Sequence, residues 1–181
     1  MKKLLLLLIF ICLVKRLSFP LPALAAEIAG SSAVLAEKFP AREVDPRVKQ
    51  LEIFFQSYDS PLATYSAYFV KMADKYEIDW KLLPAIAGVE STFGKRIPVG
   101  SYNAYGWNGG NARFDSWEAG IEEVCKNLRE KYYERGLKTP YLIAPVYCPP
   151  SLVWAGKVVF FMQKIGEFEK EAWLQAVPLV I

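Results

Sequence analysis

The chain has 181 residues, 53% of them hydrophobic and 23% charged, with a formal net charge of +3. That length fits one domain of roughly 130–150 residues plus a terminal appendage, and it can bury a core without disulfide or metal staples. The chain contains no histidine, which excludes Ser-His-Asp and Cys-His nucleophilic catalysis, His-ligated zinc and imidazole acid–base chemistry. Carboxylates, hydroxyls, amines and cysteines are left to do any chemistry. Neither a metal-ligand cluster nor a cofactor motif can be read, so no metal and no cofactor is expected.

Lys2 and Lys3 precede the eleven-residue apolar run Leu4–Val14, and Ala23-Leu24-Ala25 follows before Ala26. A basic start, a short apolar stretch and an A-x-A site predict a secretory signal peptide over residues 1–25. Lys15 and Arg16 interrupt the pattern and leave an uncleaved N-terminal anchor as the alternative, although eleven residues are short for a bilayer span. Nothing amphipathic in Leu4–Val14 suggests a core helix, and Ile11 before Cys12 argues against a lipoprotein signal. Without residues 1–25 the balance becomes 18 basic against 19 acidic side chains, so the apparent basicity belongs to the targeting segment. The remaining positive charges do not cluster and no reader motif appears, so no nucleic-acid partner is expected. Contact with a membrane is expected only through an uncleaved N-terminus. Cys125 and Cys148 would be the mature cysteines; in an oxidising compartment they can pair, or stay as small apolar residues.

Residues 26–45 mix Ala, Ser, Pro and alternating charge without a period and read as a tether, leaving 46–181 as the folded domain. Arg47–Gln56 has helical spacing, with Val48, Leu51, Phe54 and Phe55 on one side. Asp59-Ser60-Pro61 offers a capping side chain and then Pro, predicting a helix start. Leu62, Tyr65, Phe69, Met72, Ala73 and Tyr76 continue it as core positions. Asp79 can cap a helix over Trp80–Ser91 that is apolar on most of its circumference and therefore central, with Pro84 near its first turn. Lys95–Arg113 holds one Pro, four Gly, three Asn and three aromatics, a loop or short irregular hairpin. Asp115-Ser116-Trp117-Glu118 resembles a capping box opening a helix to about Tyr133, with Ile121, Val124, Cys125 and Leu128 inward. Gly136 and Pro140 end it. Pro149-Pro150-Ser151 starts a last helix with Val153, Trp154, Val158, Phe161 and Ile165 as its buried stripe and Gly166 as its stop. The sum is a mainly helical domain with one irregular lobe after the central helix.

Glu90 does not belong in that pattern. It closes the apolar stretch Ala85-Ile86-Ala87-Gly88-Val89, where the negative end of the helix dipole and burial both disfavour its charge. Both push its pKa up, toward a carboxylic acid that keeps its proton near neutral pH, as general acid catalysis of glycosidic cleavage requires. An outward, solvated Glu is the alternative.

Glu90-Ser91-Thr92-Phe93-Gly94-Lys95, Asn103-Ala104-Tyr105-Gly106-Trp107, Phe114-Asp115-Ser116-Trp117 and Tyr147 with the following Trp154-Ala155-Gly156 occur in that order. Together they resemble the lysozyme-like superfamily. Within it they are most similar to the glucosaminidase branch, mannosyl-glycoprotein endo-β-N-acetylglucosaminidase-like domains that cleave peptidoglycan glycan strands. The resemblance covers roughly residues 73–165. It implies a lysozyme-like α+β fold, with Glu90 as catalytic acid, Tyr147 as an active-site tyrosine and peptidoglycan strands as the partner of a secreted or cell-envelope protein. The family's Phe is Tyr105 here, and a polar stretch becomes Cys148-Pro149-Pro150. The Gly-Leu-Met-Gln segment of soluble lytic transglycosylases is absent, so that branch is the alternative; a non-catalytic wall-binding module is the alternative of another class.

Residues 91–114 contain no Asp or Glu, although most glycosidases use two carboxylates. Asp115, next along, reads better as a helix cap. A single-acid mechanism follows: Glu90 protonates the leaving oxygen, the substrate's N-acetyl group supports the developing cation, and Glu90 then activates water or a sugar hydroxyl. Tyr147 can orient Glu90 or pack the core. Ser91, Tyr102, Asn103, Tyr105 and Trp107 are the candidate substrate contacts, with Asn108 and Asn111 as further hydrogen-bonding groups. Turn chemistry and core packing compete for them. Lys95 and Arg96 can meet lactyl or peptide carboxylates or remain solvated. Nothing specifies an oligomer, so a monomer is expected.

Overall fold

The computed structural model describes residues 45–149 and 152–176. The predicted leader, the tether apart from Asp45, Pro150, Ser151 and the tail beyond 176 lie outside the described residues. Among the described residues, six α-helices and two 3₁₀ turns make up the regular structure and no strand occurs. The mainly helical reading holds.

The first helix, α1 (Pro46–Ser57), starts as its sequence dictates: the Asp45 carboxylate accepts the Arg47 N–H at 2.9 Å and Pro46 occupies the first turn. Leu51, Phe54 and Phe55 are fully buried. Gln50 is buried with them and its amide donates to the Ile165 carbonyl, satisfying a polar group inside the core.

The second helix begins later than Asp59-Ser60-Pro61 predicts. A 3₁₀ turn, Ala63–Tyr65, precedes α2 (Ser66–Lys75). Asp59 is left-handed (φ 50°) and does not cap. The Ser60 hydroxyl instead accepts the Leu62 N–H at 3.0 Å and donates to the Phe93 carbonyl at 2.8 Å, tying this corner to the far end of the next helix.

Helix α3 (Leu82–Ser91) is the predicted central helix, with Leu82 through Gly88 all buried. It starts two residues late because Asp79 caps a preceding turn, its carboxylate taking the Lys81 N–H at 2.9 Å. Pro84 falls in the first turn, where its missing N–H has no partner to lose. The helix ends in three successive left-handed residues, Thr92, Phe93 and Gly94 (φ 52°, 57° and 82°). Two of these carry side chains that disfavour such backbone, so packing must hold them there. The Phe93 ring supplies it: it is fully buried, with centroids of Phe54, Phe55, Tyr58 and Phe161 at 4.5–6.0 Å.

The segment from Lys95 to Asp115 is irregular loop, not hairpin. Helix α4 (Trp117–Lys131) follows, capped by the Ser116 hydroxyl accepting the Ala119 N–H at 3.2 Å. Asp115 is not the cap, and the reciprocal half of a capping box is missing because Ala119, not an acid, occupies the third helical position. Ile121, Val124, Cys125 and Leu128 are fully buried, as their spacing predicts.

A helix that the sequence reading missed, α5 (Pro140–Tyr147), starts where Pro140 was taken only as a stop. Thr139 caps it, Pro140 fills the first position, and the internal Pro145 disguises the eight-residue pattern. Helix α6 (Leu152–Ala176) then packs on α1, α3 and α5. Trp154, Val158 and Ile165 are buried and Phe161 half-buried, but Val153 is 66% exposed and leaves the predicted stripe. Gly166 does not end the helix; an interior Gly costs only ~1 kcal/mol, less than the packing of α6 returns. Cys125 and Cys148 are both free thiols.

Gly88 lets the Phe93 ring lie directly on α3: a methyl there would stand 2.5 Å from Phe93 Cε1 and 3.1 Å from Phe161. Gly88→Ala is therefore expected to destabilise by ~1–3 kcal/mol through overpacking, seen as a lower Tm in thermal denaturation. An unchanged Tm contradicts this packing of Phe93.

Candidate functional site

Glu90 occupies the last turn of α3, half-buried, after seven consecutive buried residues. One carboxylate oxygen, Oε1, accepts a hydrogen bond from the Trp154 indole Nε1 at 2.7 Å. The other, Oε2, faces the backbone of Gly106, where a methyl group would stand 2.5 Å away. No ion pair reaches Glu90 among the described residues. Burial pushes its pKa above the ordinary carboxylate value, and the Trp154 hydrogen bond, which favours the charged form, opposes this more weakly.

Trp154 is positioned by α6 and stacked by Tyr147, with ring centroids 4.9 Å apart and planes 26° from parallel. Tyr147, at the end of α5, donates its hydroxyl proton to the Tyr105 carbonyl at 2.6 Å. Burial and the nearby Glu90 charge both hold that phenol well above its usual pKa, so it remains a donor. Tyr105 adjoins Gly106, and Gly106 adjoins Glu90. The result is a closed ring of contacts from carboxylate to indole to phenol to loop backbone and back.

Beside this ring lies a groove of about 630 Å³. The loop residues Gly106–Gly109, Ala112 and Phe114 line it. Glu123 and Lys131 of α4, the following Tyr132, and Tyr147 of α5 also line it. Glu90 does not itself line this groove; it borders it through Gly106 and through Tyr147 by way of Trp154. An apolar cleft of similar volume lies between α3 and α6, around Val89, Val153 and Phe160, with Lys157 as its one charged residue. The first groove combines aromatic faces with polar groups suited to a polar ligand; a smaller hollow around Tyr65, Tyr68, Lys71 and Glu118 does so too, but none of its lining residues belongs to the ring around Glu90.

The structure sorts the predicted residues. Trp107 and Tyr147 line the groove, and Asn108 joins them. Ser91 does not: it is buried, its hydroxyl accepts the Gly94 N–H at 2.8 Å and it reaches the Ala104 carbonyl at 2.8 Å, bracing the left-handed turn against the loop. Asn103 is also buried. Its Oδ1 accepts the Trp107 N–H at 3.0 Å and its Nδ2 donates to the Trp107 and Ala112 carbonyls, so it shapes the loop that carries Trp107. Tyr105 is fully buried, its hydroxyl without a hydrogen-bond partner, and only its carbonyl serves the site. Tyr102 packs edge-on against Trp117 at 5.4 Å, outside the groove. Lys95 donates to the Tyr58 carbonyl, and neither it nor Arg96 lines the groove.

Four residues escaped the sequence reading: Trp154, Gly106, Glu123 and Lys131. Trp154 was assigned to the core, correctly for its ring, but a buried indole N–H needs an acceptor, and that requirement was the signal. Glu123 places a carboxylate in the groove from α4, its Oε1 accepting the Asn127 amide at 2.8 Å. Neither a protein-family model nor a curated protein matches the chain.

A carboxyl whose folded pKa is raised binds its proton more tightly when folded than unfolded. Its contribution to stability is complete below the unfolded pKa of about 4.3 and is lost as pH rises through the folded pKa. The Glu90→Gln protein is therefore expected to gain stability relative to the parent as pH rises through that window, measured by urea denaturation at several pH values. A stability difference, Gln variant minus parent, that falls or stays constant as pH rises contradicts the raised pKa.

Proposed function

We propose that this protein is an exported, lysozyme-like glycosidase that cleaves the β-1,4-linked amino-sugar strands of peptidoglycan, with Glu90 as its single general acid/base. The observation that carries the reading is the half-buried carboxyl at the end of an apolar helix, held by Trp154 and bordering an aromatic-lined groove. Such a group is suited to delivering a proton to a leaving glycosidic oxygen. Trp107 and Tyr147 offer aromatic faces to sugar rings, and Asn108 offers an amide for hydroxyl and N-acetyl groups. The basic-apolar N-terminal sequence supports export to the cell envelope.

In the proposed mechanism a strand lies along the groove and its scissile oxygen reaches the half-buried Glu90 carboxyl at the groove's border, beside Gly106. The carboxyl gives up its proton, and the C–O bond breaks toward an oxocarbenium-like centre. The substrate's own N-acetyl oxygen attacks that centre and replaces the second carboxylate. Glu90, now charged and stabilised by the Trp154 N–H, accepts a proton from the incoming nucleophile. Water gives hydrolysis and a reducing end; the sugar's own 6-hydroxyl gives a 1,6-anhydro end. Tyr147 acts through other groups: it stacks the indole that meets Glu90 and anchors the loop carbonyl beside Gly106. Ser91 and Asn103 act one step further out, by fixing that loop.

Zymography on peptidoglycan tests the proposal. Glu90→Gln is expected to reduce clearing by about 10²–10⁴-fold, the usual worth of a positioned general acid. Mass spectrometry of the product ends then distinguishes hydrolysis from anhydro-sugar formation and identifies the bond. Equal clearing by the amide variant overturns the single-acid mechanism. Absence of cleavage by the parent protein, with strand binding retained, supports the non-catalytic wall-binding alternative instead.

A further inference from the structure

The groove carries two charges on one helix. Glu123 and Lys131 both line it from α4, and eight residues of helix separate them by about 12 Å along the axis. That exceeds a Debye length of about 8 Å at physiological salt, so each charge governs its own part of the groove. Glu123 is engaged by Asn127 at 2.8 Å. Lys131 makes no ion pair among the described residues. Its Nζ stands 6.0 Å from the centroid of the Trp107 ring, at the limit for a cation–π contact. Trp107 in turn meets Tyr147 at 5.8 Å, and Tyr147 stacks on the indole that holds Glu90. Lys131, the one cation lining the groove among the described residues, therefore stands at the end of a series of ring contacts, Trp107 to Tyr147 to the buried Trp154, that leads back to the acid.

We infer that Lys131 forms an anionic-sugar subsite that takes the lactyl carboxylate of a muramic acid unit resting on Trp107. The subsite selects carboxylated amino-sugar strands over uncharged ones such as chitin. This inference rests on the reading of the groove as a glycan-strand site. A lysine suits the task because its ammonium is a point charge on a flexible stem with rotatable donors, and a carboxylate on a freely rotating ether does not demand a planar fork. Lys95 and Arg96 do not line the groove, which leaves this role to Lys131 among the described residues.

Binding, measured without turnover, keeps the subsite separate from the catalytic proposal. Calorimetric titrations would compare the Glu90→Gln protein with the same protein also carrying Lys131→Met. Two probes are used: muramic-acid-containing glycan strands stripped of stem peptides, and chitooligosaccharides of equal length. Lys131→Met is expected to weaken strand binding about tenfold, the worth of one charge-assisted hydrogen bond. Chitooligosaccharide binding should be unchanged, and Lys131→Arg should restore strand affinity. Lys131→Gln repeats the comparison should the Met variant fail to fold. Equal strand affinity with and without the lysine, equal weakening for both probes, or no strand binding by either protein overturns the subsite. Full clearing by Glu90→Gln overturns the catalytic proposal alone and leaves the binding result standing.

Discussion

The proton affinity of Glu90 is set by two opposed influences. Burial at the end of α3 removes water from the carboxylate and favours the neutral acid, while the Trp154 N–H at 2.7 Å favours the anion. Burial is the larger, so the pKa stands above the ordinary carboxylate value, yet a donor is already in place for the charge that appears when the proton leaves. A fully apolar pocket would hold the proton without stabilising the product of releasing it. A salt-bridged pocket would have no proton to give. The rest of the fold serves to keep the carboxyl between these extremes.

That service begins with strain. Three left-handed residues in succession turn the chain sharply after α3, and Phe93 locks the turn by burying its ring against α1 and α6. Gly88 admits the ring onto the helix, Ser60 takes the Phe93 carbonyl, and Ser91 pins both the turn and the loop beyond it. The loop in turn gains its shape from Asn103, whose amide replaces missing backbone partners around Trp107. Gly106 then allows the loop backbone to approach Glu90 closely, and Tyr147 ties the same stretch to the stacked Trp154. Residues outside the groove, among them Ser60, Gly88, Ser91, Phe93 and Asn103, thus help to determine where the acid stands.

Long periodic segments were legible in the sequence. Leu51, Phe54 and Phe55 of α1, the apolar run of α3 and the inward face of α4 follow from spacing alone, because each buries a face that no other arrangement would cover. The anomaly of Glu90 was legible for the same reason, since a carboxylate inside an apolar pattern needs an explanation. What was not legible depended on contacts between distant segments. Ser91, Asn103 and Tyr105 have the composition of a polar site, but their side chains turn inward: Ser91 and Asn103 satisfy backbone groups, and the Tyr105 ring packs in the core with its hydroxyl unpartnered. The role of Trp154 was half legible: a buried indole N–H needs an acceptor, but spacing does not point to a carboxylate 64 residues away. Helix α5 was hidden by its two prolines and short length, and with it went the reason for Tyr147 to reach the loop.

The most direct test is a site-resolved titration of the Glu90 carboxyl carbon by NMR in the free protein, with Glu90→Gln assigning the resonance. The account predicts a midpoint above the ordinary glutamate value of about 4.3. A midpoint at or below that value would mean that the indole hydrogen bond outweighs burial, and would contradict the raised pKa on which the account rests.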